Sequence, residues 1–242
     1  MYVFGDSSVD SGNNNNRNTM AKANKYPYGI DFNNKSTGRF TNGKTFADLI
    51  ADKLGLPLSP PYLGVIESER YKVVTGINYA SAACGILNDT RDELYDLGGR
   101  KYVVAVSGQL GCSPSKFCDE VKNEKIKPLS DKLPKKLQEL QSQLSGSSFI
   151  SANPFNFFNE IKNAPEKYGF KNISKSCYVD GEPLCDNREE YYYFDFAPDG
   201  TKKQIIAELD DEEELILIAP VKENEAKRND AWFLDSRMFI MS

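Results

Sequence analysis

Strands and helices alternate along this 242-residue chain in the order that an open α/β architecture with a mostly parallel sheet requires. Three observations carry that reading. Short apolar runs end in turn residues: Met1-Tyr2-Val3-Phe4 before Gly5-Asp6-Ser7, Val73 to Ala80, Lys101 to Ser107 before Gly108, and Phe149 to Asn153 before Pro154. Segments with apolar residues at helical spacing lie between and after them. Ser7 directly follows the first run, which puts it at the carboxyl edge of a sheet, where open α/β folds place their sites.

In chain order, residues 17–42 are polar and predict a long surface loop. Lys44 to Leu54 is a helix, with Phe46, Leu49, Ile50 and Leu54 on one face. Asn42 suits its N-cap and Gly55 its C′ position, and Pro57, Pro60 and Pro61 stop it. Val73 to Ala80 is the second strand. The loop after it, Ser81-Ala82-Ala83-Cys84-Gly85, is small enough to bring a backbone N–H close to a ligand. A turn that packs strand on helix explains the same residues equally well. Lys101 to Ser107 is the third strand. Over 119–145, Leu129, Leu133, Leu137, Leu140 and Leu144 form a core stripe, with Pro134 near a first turn or at a kink. Phe149 to Asn153 is a short strand and Pro154 to Lys167 an aromatic helix. Thr201 to Leu209 is a last helix, which Asp199 can cap.

Composition narrows the function. The chain is 40% hydrophobic and 27% charged, ordinary for a globular protein. A net charge of −5 argues against nucleic acid or an anionic membrane as partner. No apolar run is long enough to cross a bilayer. The predicted first strand begins at Met1, so no leader is expected ahead of it. Sequons at Asn34, Asn88 and Asn172 and five cysteines point the other way, towards a secreted ancestry. Chance also explains sequons in an Asn-rich chain. Cys112/Cys118 and Cys177/Cys185 are closely spaced, and the odd count leaves at least one thiol over. With no histidine and no Cys-x-x-Cys pair, a zinc site is not expected. No nucleotide or organic cofactor fingerprint is present, so no cofactor is expected.

The block Phe4-Gly5-Asp6-Ser7 with its Gly/Asn-rich continuation resembles block I of the plant GDSL esterase/lipase family, a branch of the SGNH hydrolases. Pro27 to Phe32, Gly38 to Ala51, Gly108 to Pro114, Pro165 to Phe170 and the Cys177–Cys185 loop are similar to further segments of that family. The resemblance implies an incomplete flavodoxin-like, three-layer sandwich over residues 1–209, acting on carboxylic esters. It puts Ser7 in the nucleophile position. The Ser7 N–H and the N–H of Ala83 or Gly85 fall in the oxyanion-hole positions. Asp195, in Tyr193-Phe194-Asp195, matches the triad aspartate. The departures matter as much. The histidine slot after Asp195 holds Ala197 or Pro198. The segment that carries block III, with its strand and its asparagine donor, is read as deleted between Leu87-Asn88-Asp89-Thr90 and Asp92. Asn88-Asp89 looks like a block III pair but stands in the wrong place.

From Asp210 the chain changes character: five acidic residues, then Leu215 to Ala219, then Trp232-Phe233-Leu234-Asp235-Ser236. This stretch, 210–242, resembles a fragment of a copia-type retroelement polyprotein and is expected to be a separate, poorly ordered tail. A serine hydroxyl is a poor nucleophile until a base takes its proton. Losing that base lowers the rate by about a hundred- to ten-thousand-fold. Losing an oxyanion donor lowers it by roughly a further hundred- to thousand-fold. The expectation is therefore an ester hydrolase by descent, inactive or very weak, monomeric, with a small-molecule or lipid ester as its partner if it has one. The alternatives are a non-catalytic ester-, lipid- or glycan-binding remnant, or a rearranged gene product without function. The family is usually secreted; without a leader, an intracellular location is the other expectation.

Overall fold

A computed structural model of the chain describes residues 1–83, 95, 99–105, 108–112, 114 and 118–195, and the backbone of 238–241. The architecture is α/β with short parallel sheets. β1 (Tyr2–Phe4), β2 (Lys101–Ala105), β3 (Ser148–Ala152) and β6 (Met238–Met241) form one sheet in the order β1-β6-β2-β3, all parallel. β4 (Asn172–Ser176) and β5 (Tyr191–Tyr193) form a second, two-stranded parallel sheet. The helices are α1 (Phe46–Lys53), α2 (Glu120–Gln143) and α3 (Pro154–Asn163). β6 comes from the stretch read as a tail, and it lies between β1 and β2.

Alternation along the strands divides the sheet's two faces. Val3, Val103, Ile150 and Ala152 pack with Phe46, Ala47, Ile50 and Ala51 of α1. Tyr2, Phe4, Tyr102, Val104 and Phe149 cluster on the opposite face, with Tyr102 stacked on Phe149 at 4.5 Å. A second core gathers Phe157, Phe158 and Ile161 of α3 with Phe170, Tyr192 and Tyr193.

Several elements differ from their sequence reading. Thr45, not Asn42, caps α1. Its hydroxyl accepts from the Asp48 N–H while the Asp48 carboxylate accepts from the Thr45 N–H, a reciprocal capping box. Asn42 instead donates to Asp31 Oδ2. The other end is as expected. Gly55 has φ +65°, its N–H reaches Asp52 O, and the Leu56 N–H reaches Ala51 O, a Schellman ending. Val73 to Ala80 is not one strand. Residues Glu67–Lys72 form a 3₁₀ turn, and Gly76 adopts φ +109° with no room for a side chain, its Cβ position lying 2.0 Å from Met1 O. Only the stretch around Ile77 to Tyr79 runs beside β1, through Val3 N–H to Ile77 O at 3.1 Å and Tyr79 N–H to Val3 O at 2.8 Å.

The polar 17–42 segment is not wholly at the surface, because Ala23, Tyr28, Arg39, Thr41 and Asn42 are buried. Leu129 does not belong to the core stripe of α2, being 47% exposed, while Asn123, Ser130 and Leu137 are the buried residues. Pro134 lies inside one continuous 24-residue helix, together with Pro128. The aromatic helix α3 ends at Asn163, after which Pro165–Tyr168 is a 3₁₀ turn. The expected helix over Thr201 to Leu209 lies outside the described residues.

Candidate active site

β1 stops at Phe4, and a turn follows immediately. The Asp6 carboxylate folds back to accept from the Ser8 N–H at 3.0 Å and the Ser8 hydroxyl at 2.8 Å. This Asx-type turn leaves Ser7 half-buried at its centre, past the carboxyl end of a sheet strand.

The Gly/Asn-rich run beyond it is a clasp. Asp10 is fully buried. Its Oδ1 accepts from the Gly12 and Asn13 N–H groups at 2.8 and 2.7 Å, and its Oδ2 from the Ala82 N–H at 3.1 Å. Asn13 donates to the carbonyls of Asn78 and Ala80, both at 2.8 Å, and accepts from the Leu63 N–H. Asn14 donates to the carbonyls of Ala21 and Ala82 and accepts from the Ser81 hydroxyl at 2.7 Å. Asn78 returns a bond to Val9 O at 2.7 Å, and the Ser81 N–H bonds Gly5 O at 3.0 Å. Buried polar groups must be paired, and of the bonds that cross between these two loops all but the one from the Ser81 hydroxyl to Asn14 involve backbone. The Ser7 turn and the Ser81–Ala83 loop are therefore held in fixed register. Burial pushes the Asp10 carboxyl above the usual carboxylate range, against the opposing pull of these backbone donors.

Ala83 sits at the open end of this clasp. It is exposed and has φ +64°, a left-handed conformation that costs an alanine about 1 kcal/mol. Backbone strain of this kind collects at functional sites. The structure thus brings Ser7 and Ala83 onto two loops tied together. Gly85, Asn88, Asp89, Ala197, Pro198 and Asp199 lie outside the described residues.

Asp195 belongs to another buried cluster. It follows β5 and accepts from the Tyr28 hydroxyl at 2.5 Å, while its backbone carbonyl accepts from the Ser176 hydroxyl at 2.8 Å. Tyr28 meets Phe40, Tyr178 and Phe194 edge to face. The Cys177–Cys185 bridge closes the loop above this cluster, and Cys112–Cys118 closes a second loop beside α3. Tyr193 donates to Cys112 O at 2.9 Å, and burial drives its phenol far above the usual tyrosine range.

The segment Gly38 to Ala51 has its own buried bond. The Arg39 guanidinium grips Asp48 in a bidentate pair, with Nε to Oδ2 at 2.6 Å and a terminal nitrogen to Oδ1 at 2.9 Å. A further guanidinium N–H reaches Ser11 O at 3.3 Å, so α1 is tied to the Ser7 loop. Asp10, Asn13, Asn14, Tyr28 and Arg39 were not legible as site residues in the sequence. An Asn run reads as low complexity, and only the Asp-x-Gly-Asn-Asn spacing after a strand signals a loop that bonds its own backbone.

Among the described residues no group of three or more His, Cys, Asp or Glu side chains is placed to hold a metal. No described helix is long and apolar enough to cross a membrane. No protein-family model matches the chain. Among curated proteins, the chain is similar to GDSL esterase/lipase At1g71691 of Arabidopsis thaliana, 30% identical over 296 residues that cover 81% of this chain and 76% of that protein. GDSL esterase/lipase 7 of the same plant is 30% identical over 313 residues, covering 85% of each. GDSL esterase/lipase At5g08460 is 53% identical over a shorter stretch of 91 residues, 37% of this chain and 23% of that protein.

Proposed function

We propose, from the premise that this chain belongs to the GDSL esterase/lipase family, that it is an ester hydrolase by descent whose turnover is absent or very weak. Ser7 takes the nucleophile position, the N–H groups of Ser7 and of Ala83 or Gly85 the oxyanion positions, and Asp195 the place of the orienting carboxylate. The observation that carries the reading is the absence of any histidine from the sequence. Ser7 then has no imidazole to accept its proton, and the Asp195 carboxylate has none to orient. In this structure that carboxylate bonds the Tyr28 hydroxyl instead.

Two further departures support a lesioned enzyme. The alignment to At1g71691 runs over 296 residues, while 81% of 242 residues is about 196, so roughly 100 positions have no counterpart here. An internal deletion that removed block III and its asparagine donor fits this difference. The second departure is the change of composition at Asp210, which fits a junction with retroelement-derived sequence. The intact clasp favours a second reading, a cleft that still holds an ester or lipid without cleaving it.

Labelling with a fluorophosphonate probe, with Ser7→Ala alongside, tests the first reading. No labelling above the variant is expected. Labelling lost in Ser7→Ala would show an activated serine and overturn the inactivity. Restoring the base by Pro198→His or Ala197→His is expected to raise probe labelling of Ser7 at least tenfold in one of the two variants, given the size of general-base effects.

A further inference from the structure

β6 is out of sequence order. Its neighbours β1 and β2 are the first and second strands of the chain, yet they share no ladder with each other in this sheet. Each pairs with β6 instead: Tyr2↔Phe239, Val3↔Ile240 and Phe4↔Met241 on one side, and Lys101↔Met238, Tyr102↔Phe239, Val103↔Ile240 and Val104↔Met241 on the other. Both ladders are parallel. Without β6, the inner edges of β1 and β2 would present unpaired N–H and C=O groups in the middle of a sheet whose flanking residues Val3, Tyr102 and Val103 are almost fully buried.

We propose that the gap between β1 and β2 is a strand-acceptor site for an extended peptide, and that its resident occupant is the chain's own segment Met238–Met241. The argument stands on the strand pairing and does not need the family reading. The site's chemistry is that of strand addition. Backbone bonds on both edges supply the affinity, and parallel register on both sides sets the direction. Residues 196–237, 42 in all, connect the described body to β6. A connection within one chain acts as an effective concentration on the order of millimolar. At micromolar protein the occupant therefore comes from the same molecule rather than from a second copy. β6 then acts as a structural clamp: the strand that carries Ser7 at its end is joined to the rest of the sheet through it.

Hydrogen exchange on the full chain, comparing Ile240→Pro with Ile240→Val, tests this. Proline removes a ladder donor from a central strand, and valine keeps it. Protection of the β1 and β2 amides is expected to fall at least tenfold in Ile240→Pro and to stay within twofold in Ile240→Val. Unchanged protection in Ile240→Pro would overturn the proposal. A second variant keeps the test open if Ile240→Pro does not fold. Tyr2→Cys with Phe239→Cys, in a Cys84→Ser background, places thiols at register partners. An intrachain disulfide at 1 and at 100 μM protein supports the same-molecule clamp. A bridge that forms only between molecules, or none, overturns it.

Discussion

Two residues on the clasp respond in opposite ways to a conservative change. Asp10 is buried and its carboxyl titrates above the ordinary value of 3.8. A raised folded-state pKa means that the fold binds this proton more tightly than the unfolded chain does. The stability it contributes is full below the unfolded value and is lost as pH rises through the folded one. Urea unfolding followed upwards in pH from below 3.8 is expected to show that loss in the native chain and not in Asp10→Asn. The variant is also less stable throughout, by about 2 kcal/mol, because its amide turns a donor towards the Ala82 N–H. Ala83 behaves oppositely. Ala83→Gly removes the left-handed penalty and loosens the unfolded chain, so a net gain of about 0.5 kcal/mol in the same assay is expected. Neither residue announces this in the sequence. Asp10 reads as an ordinary loop acid, and its burial depends on Ala82, 72 positions away.

Helices and strands were legible to the extent that local chemistry fixes them. The cap of α1 is a case in point. Asn42 and Thr45 are both good capping residues, and only the Asp48 carboxylate three residues after Thr45 decides between them. The stop at Gly55 needed no such arbitration. In α2 the leucine spacing locates the helix, and Pro134, expected near a first turn or at a kink, lies well inside one continuous helix together with Pro128. Tertiary packing of Asn123, Ser130 and Leu137 carries the helix through both prolines. Each proline removes an i→i−4 bond and crowds the preceding turn, and both side chains are exposed, so no packing is lost on replacing them. Pro128→Ala and Pro134→Ala are each expected to stabilise the chain by about 2 kcal/mol, read as a higher thermal midpoint. The second strand is shorter than its apolar run for a different reason. Val73 to Ala80 looks apolar enough, but Gly76 must pass close to Met1 and breaks the run.

The molecule as a whole divides its sources of stability. The cluster around β1, β2, β3 and α1 rests on apolar packing, while the clusters around α3, β4 and β5 are stapled by two short disulfide loops. Loops of this length contribute about 2 kcal/mol each. Reduction is therefore expected to lower overall stability by about 4 kcal/mol, with exchange protection lost first around Tyr192 and last around Val103. Little of that division is visible in the sequence: the cysteines stand close together but their spacing leaves the bridge pattern open, and nothing local shows that Met238 to Met241 belongs in a sheet begun at Tyr2. Tyr2 and Phe239 are paired across nearly the full length of the chain. A chain made from its amino end at about 5–20 residues per second therefore holds the β1 edge that faces β6 without that partner for on the order of ten to fifty seconds. During that interval the nascent protein carries an open apolar edge, and its yield in a cell depends on what shields that edge until synthesis reaches residue 241.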